Sequence, residues 1–170
     1  MALRTAGGIT INQTTEFAGY YGSFYSSTDQ VDGTTVHRMF CESTADADGV
    51  SMVLGDEATK SRMTFAHAGT YNIQFSAQFH HIGGGGNGNT VNVWFRLNGN
   101  NIDNSDTRVT VQSNNPYVVA AWNFIVSVAA GDYVEIVWFT DNSNIILEHE
   151  AANATHPAIP SVIMTAQQIR

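Results

Sequence analysis

A chain of 170 residues, 43% of them hydrophobic, is long enough to form one domain that needs no disulfide staples. Its formal net charge of −8, with no basic cluster anywhere, disfavours nucleic acid and anionic membrane surfaces, and neither is expected as a partner. Charged residues are only 13% and Lys60 is the single lysine, a composition that argues for strands and tight loops over helices with Lys- and Glu-rich surfaces.

Residues 1–17 are rich in Gly, Thr and Asn and are expected to form an extended attachment arm, with residues 18–170 as a single domain. Within the arm, Ile9, Thr10, Ile11 and Asn12 have the pattern of a short strand able to join another protein's sheet edge. Met1-Ala2-Leu3-Arg4 leads into Gly, Thr and Asn rather than an apolar run, so no secretory signal is expected and synthesis in a cytoplasm follows. No stretch approaches the roughly 18 apolar residues of a membrane-spanning helix.

From there on the dominant pattern is alternation. Strands are expected near 18–26, 35–41, 48–54, 61–66, 70–81, 90–97, 107–112, 117–129, 132–140, 144–149 and 161–169, some of them short. The clearest is 70–81, where Tyr71, Ile73, Phe75, Ala77 and Phe79 interleave with Asn72, Gln74, Ser76 and Gln78. Val91, Val93 and Phe95 alternate with Asn92, Trp94 and Arg96, and Trp122, Phe124, Val126 and Val128 with Asn123, Ile125 and Ser127. Period two with one apolar side means a strand covering a core. Turn signals separate the strands: His67-Ala68-Gly69, Asn98-Gly99-Asn100 and Ala129-Ala130-Gly131-Asp132. This is an all-β sandwich of about ten strands.

Candidate chemistry is sparse. Thr44-Ala45-Asp46-Ala47-Asp48-Gly49 has calcium-loop spacing, but the bidentate Glu that an EF-hand needs would fall at Gly55. A solvated acidic loop is expected there, with a looser cation site at Asp46 and Asp48 as the alternative. Gly83 to Gly88 lacks the Lys-Ser/Thr pair of a phosphate loop and reads as a flexible connection. His80 and His81 are adjacent, so in a strand they point to opposite faces and do not share one metal; a histidine could meet a metal only through its copies in an oligomer. Cys41 is alone and reads as a small buried apolar residue. There is no G-x-S-x-G, H-E-x-x-H or C-x-x-C. The expectation is a protein that is not an enzyme and needs no cofactor.

Three segments resemble the jelly roll of the TNF-like superfamily, including complement-type globular heads. Phe65-Ala66-His67-Ala68-Gly69-Thr70-Tyr71-Asn72-Ile73 looks like that family's lead-in to its third major strand, Val91 to Gly99 like a strand ending in an Asn-Gly turn, and Phe124 to Ile136 like a strand, a Gly-Asp turn and the next strand. The resemblance spans about residues 18–169 and implies a homotrimer. The residues add their own hint. Asn72, Gln74, Ser76, Gln78, Asn123, Ile125 and Ser127 would face outward, and these short, uncharged side chains suit a close subunit contact, since charge depletion marks interface centres.

Within the superfamily, the absence of a collagen stalk and of a secretory signal points away from secreted animal members. Phrases such as Ala68-Gly69-Thr70-Tyr71-Asn72-Ile73-Gln74-Phe75 and Val119-Ala120-Ala121-Trp122-Asn123-Phe124 are similar to those of small virion proteins of tailed phages, notably those of cyanobacterial hosts. That implies a decoration or cement protein in the virion, bound to the major capsid protein and held there by the arm. The alternatives are a receptor-binding fibre tip, with Tyr20, Tyr21, Asn87, Asn89, Asn115 and Tyr117 in loops suited to a host-surface glycan, or a bacterial surface-binding module of the same fold.

Overall fold

The structure, a computed structural model, describes residues 19–31, 35–83, 89–113 and 117–170. The described residues hold fourteen strands and no helix. In chain order they are β1 (Tyr21–Ser26), β2 (Gln30–Val31), β3 (His37–Arg38), β4 (Ser43–Asp48), β5 (Val50–Leu54), β6 (Lys60–Phe65) and β7 (Gly69–His81), then β8 (Asn89–Leu97), β9 (Asn100–Asn101), β10 (Thr107–Val111), β11 (Tyr117–Val128), β12 (Tyr133–Thr140), β13 (Ile145–Leu147) and β14 (Val162–Gln168).

They form two sheets. In the first, β4, β1, β14, β7 and β11 lie side by side, with β13 and β2 extending the row where β14 ends. In the second the order is β10, β8, β12, β6, β5, with β3 on β12 and β9 on β8. The long strands cross between sheets: β6 to β7, β7 to β8, β10 to β11, β11 to β12 and β12 to β14 all change layer. Every named strand pair is antiparallel. This crossing pattern is the double Greek key of a jelly roll, the fold that the sequence motifs imply.

Alternation builds the core. Tyr71, Ile73, Phe75, Ala77 and Phe79 are each at most 4% exposed, and Val91, Val93 and Phe95 across the layer are fully buried. Their rings meet edge-on or tilted: Phe75 to Phe95 at 6.0 Å, Phe79 to Trp138 at 5.7 Å and Phe65 to Tyr71 at 4.5 Å between centroids. Each such side chain contributes about 1.5–3 kcal/mol by leaving water.

Two of the turn motifs grip each other. Asn98 and Gly99 both have positive φ, 50° and 79°, and close the β8–β9 hairpin. Asn98 Nδ2 donates to Asp132 Oδ1 at 2.8 Å, and Asn98 Oδ1 accepts from the Tyr133 amide at 3.0 Å. Asp132 Oδ2 also accepts from the Ala129 amide at 2.7 Å. These bonds favour the ionised carboxyl and hold Asp132 below the ordinary carboxylate range. The Asn-Gly and Gly-Asp signals therefore form one latch between β8 and β12.

Three strand expectations need correction. Residues 43–48 are a strand, not a loop: β4 pairs with β1 from Tyr21–Asp48 to Tyr25–Ser43 across a register shift. Its Ala and Asp side chains show no apolar face because its sides are exposed, so alternation carries no signal. The strand expected near 35–41 shrinks to His37–Arg38. Beyond it the backbone changes partner, with the Met39 amide donating to Ile136 and the Cys41 amide to Lys60, so no ladder continues. The strand near 144–149 is likewise only Ile145–Leu147.

Gly49, between β4 and β5, has φ of +71°, and a Cβ there would lie 2.5 Å from the Tyr20 ring. Gly49→Ala is expected to cost about 2 kcal/mol, combining left-handed strain with the clash. Gly131→Ala, with φ of +88° and open space around it, should cost about half as much. Thermal melts of the two variants side by side check the difference.

Candidate subunit interface

The outward face of the first sheet is set by register. Successive residues of β7 alternate, so burying Tyr71, Ile73 and Phe75 turns Asn72, Gln74, Ser76 and Gln78 away from the core. Opposite them on β11 lie Ile125, Asn123, Ala121 and Val119, and opposite the first three on β14 lie Gln167, Thr165 and Ile163. Three-residue rows result: Gln167–Asn72–Ile125, Thr165–Gln74–Asn123 and Ile163–Ser76–Ala121. None of these positions carries a charge. Asn123 Nδ2 donates to Asn72 Oδ1 at 3.0 Å, and the Thr70 and Ser127 hydroxyls are 3.2 Å apart, so cross-strand pairs already order the amides and hydroxyls.

All seven residues expected on this face are therefore brought together there. The register adds others, and three are apolar and open: Tyr117, Val119 and Ile163 are 53%, 60% and 40% exposed, beside Ile125 at 57%. Val119 and Ile163 could have been found by extending the same alternation along β11 and β14; the sequence reading stopped short of both. At one end of the face His80 stacks on Tyr117, 4.2 Å between centroids. Its Nδ1 lies 2.9 Å from Glu148 Oε1, close in distance but not aligned as a hydrogen bond.

The edge of the sheet is the second unpartnered surface. Among the described residues β11 is bonded only to β7, which leaves the other side of a twelve-residue strand open. Its core-facing Trp122 and Phe124 are only half-buried, although they stack on Phe75 at 4.6 Å and Phe95 at 4.9 Å. The Trp122 Nε1 is buried without a hydrogen-bond partner. A cleft of about 290 Å³ beside it is lined by Gln74, Phe75, Ala121, Trp122 and Asn123. A long, flat, apolar edge is an aggregation liability unless something covers it.

The second sheet differs. Its outer side carries a charge network: Glu135 is fully buried between Arg38 and Arg62, which also reach Asp56 and Glu57.

The residues expected in glycan-binding loops do not converge, and Tyr21, Asn89 and Tyr117 are the first residues of β1, β8 and β11 rather than loop residues, because each already pairs with a neighbouring strand. Tyr20 stacks on His67 at 3.7 Å, and Tyr21 donates to Asp46 at 3.2 Å, a bond to a carboxylate that raises the Tyr21 phenol pKa. Both lie near the start of β7. Asn89, bonded to Asp141 and Asn142, and Tyr117 lie near the other end of this thirteen-residue strand. Asn87 and Asn115, like the arm residues Ile9, Thr10, Ile11 and Asn12, fall outside the described residues. His80 and His81 do point to opposite sides. His81 is 4% exposed, with Nδ1 2.7 Å from the Gly83 carbonyl oxygen. Among the described residues no three His, Cys, Asp or Glu side chains are placed to hold a metal ion. Cys41 is fully buried, and burial pushes its thiol pKa up, so it resists ionisation.

No protein-family model matches the chain, and no curated protein matches it. Among solved structures, a crystal structure of murine APRIL at pH 8.5 superposes with a TM-score of 0.49 and 11% sequence identity, covering 89% of this chain and 99% of that one.

Proposed function

We propose that three copies of this chain assemble through the first sheet into a non-enzymatic building block, and that the trimer decorates a phage capsid. The observation that carries the reading is the charge-free outward face of β14, β7 and β11, with Val119 and Ile125 open along its β11 side. A protein with 13% charged residues that places none of them on the outward rows of these three strands, with Glu148 only at the His80 end, has the composition of an interface core there.

The count of three rests on a second argument. A two-fold dimer buries the same patch on both copies. Among the described residues two different surfaces lack partners, the outward face and the β11 edge with half-open Trp122 and Phe124. Packing the edge of one copy against the face of the next is a heterologous contact, which must close as a ring to avoid a filament. The trimer implied by the resemblance is such a ring.

A capsid offers sites of matching symmetry. A trimer seated at a local threefold position binds three neighbouring shell subunits equivalently. The small, acidic, compact unit suits that place, and the virion-like phrases within β7 and β11 support it. Sedimentation equilibrium at micromolar concentration should return three times the 18.4 kDa of one chain; a clean monomer overturns the assembly. Copy number in purified particles tests the role. Copies on the order of hundreds per particle support decoration of a symmetric shell, a few dozen or fewer favour a fibre tip, and absence defeats both.

A further inference from the structure

A cavity of about 610 Å³ opens on the outward face of the second sheet, away from the proposed interface. Its floor is where β8 and β12 pair: Asn92 lies opposite Phe139, and Trp94 is the next outward residue of β8. One wall is the segment after β9, with Ile102, Asp103 and Asp106, and Val36 ahead of β3 closes the rim. The depression is wide and open to solvent, a shape that suits a ligand lying against the surface rather than one enclosed in the protein.

The polar groups are fixed before any ligand arrives. Trp94 Nε1 donates to Asn101 Oδ1 at 2.9 Å, and the same oxygen accepts from Arg96 Nε at 2.8 Å, which sets the indole. Asn92 Nδ2 donates to both Asp106 oxygens, at 2.8 and 3.1 Å, which leaves Asn92 Oδ1 and the remaining carboxylate lone pairs as acceptors. Little side-chain freedom remains to be lost on binding.

The chemistry of the lining selects the ligand. Trp94, Phe139, Val36 and Ile102 offer an apolar surface, and Asp103, Asp106 and Asn92 offer an acceptor-rich rim. A sugar ring presents the complement: a C–H face for the aromatic surface and adjacent hydroxyls that donate to carboxylate and amide oxygens. The titratable groups lining the cavity are both acids, and the nearby guanidinium groups stand at its margin, Arg108 opposite Asn92 and Arg96 bonded to Asn101, so the lining itself offers an anion no cation to bind. We infer that this cavity binds an uncharged saccharide. The inference does not depend on the trimer, since the site is built entirely from one chain.

The test uses the full chain against an immobilised panel of glucose, galactose and N-acetylglucosamine oligomers together with their sialylated counterparts. The strongest neutral binder is then titrated by calorimetry. Neutral saccharides should be retained and sialylated ones rejected. Trp94→Ala should weaken binding about tenfold or more by removing the stacking surface and its hydrogen bond. Asp103→Asn, at an exposed position, leaves the fold untouched and should also weaken it. Ile125→Asp should alter the sedimented mass while leaving saccharide affinity unchanged, so failure of the assembly and failure of this site read differently. Retention of no neutral saccharide, preference for sialylated or amine-bearing probes, or full affinity in both folded site variants overturns the inference.

Discussion

Ile125→Asp is expected to convert the assembly to single folded chains, a threefold drop in sedimented mass. Ile125 sits on the open face opposite Asn72 and is 57% exposed in the isolated chain. Its replacement costs the monomer little, within about 0.5 kcal/mol for an exposed site away from special features. In an assembled interface the same carboxylate would be stripped of water with no cation on the face to meet it, a penalty of several kcal/mol. That penalty recurs at every subunit contact of a ring. The variant should keep its far-ultraviolet circular dichroism and melt at a lower temperature, because the stabilisation that assembly adds by mass action is gone. Val53→Asp is the matched control: Val53 is 40% exposed on β5 of the other sheet and should leave the mass unchanged. If Ile125→Asp sediments like the parent protein, the first-sheet face is not the contact.

The second large effect belongs to Glu135. Its carboxylate is fully buried, and Oε1 accepts from Arg38 Nε at 3.0 Å and Arg62 Nε at 3.2 Å. Arg38 reaches on to Glu57 at 2.6 Å and Asp56 at 3.2 Å, Arg62 also bonds Asp56, and the Arg62 guanidinium lies 4.5 Å over the Tyr133 ring. Five charged groups from β3, β6, β12 and the loop before β6 thus form one network, with two guanidinium groups meeting on the Glu135 carboxylate. Glu135→Ala removes the anion and leaves two half-buried guanidinium groups without their central partner. The expected cost is about 3 kcal/mol, the lower end for breaking a buried ion pair because Asp56 and Glu57 remain. Asp56→Ala, at a side chain 64% exposed, should cost less than about 1 kcal/mol. Urea titration of both variants measures the gap. Equal effects would mean that the network is a surface feature with no anchoring role.

Local pattern was enough for the strands that cover the core. Tyr71 to Phe79, Val91 to Phe95 and Trp122 to Val128 alternate because one side of each strand must leave water, and that requirement is written residue by residue. It also placed Asn72, Gln74, Ser76, Gln78, Asn123, Ile125 and Ser127 on the outward side, since a period of two leaves no third direction. The Asn98-Gly99 and Gly131-Asp132 turns were readable for a similar reason: positive φ and a side chain that bonds nearby backbone restrict the residue type. Other features depend on what a segment meets. Ser43–Asp48 pairs with β1 although its own side chains bury nothing, so its strand character comes from the partner's hydrogen bonds and not from its pattern. That β11 pairs with β7 alone among the described residues, leaving Trp122 and Phe124 half-open, follows from sheet order, which no single strand encodes. Arg38, Arg62 and Glu135 stand up to 97 positions apart, and Asn92, Trp94, Asp103, Asp106, Phe139 and Val36 come from several separate stretches of chain. Period and turn chemistry act within a few residues. Which faces remain uncovered, and which distant charges and rings share a cavity, is decided when the two sheets close on each other.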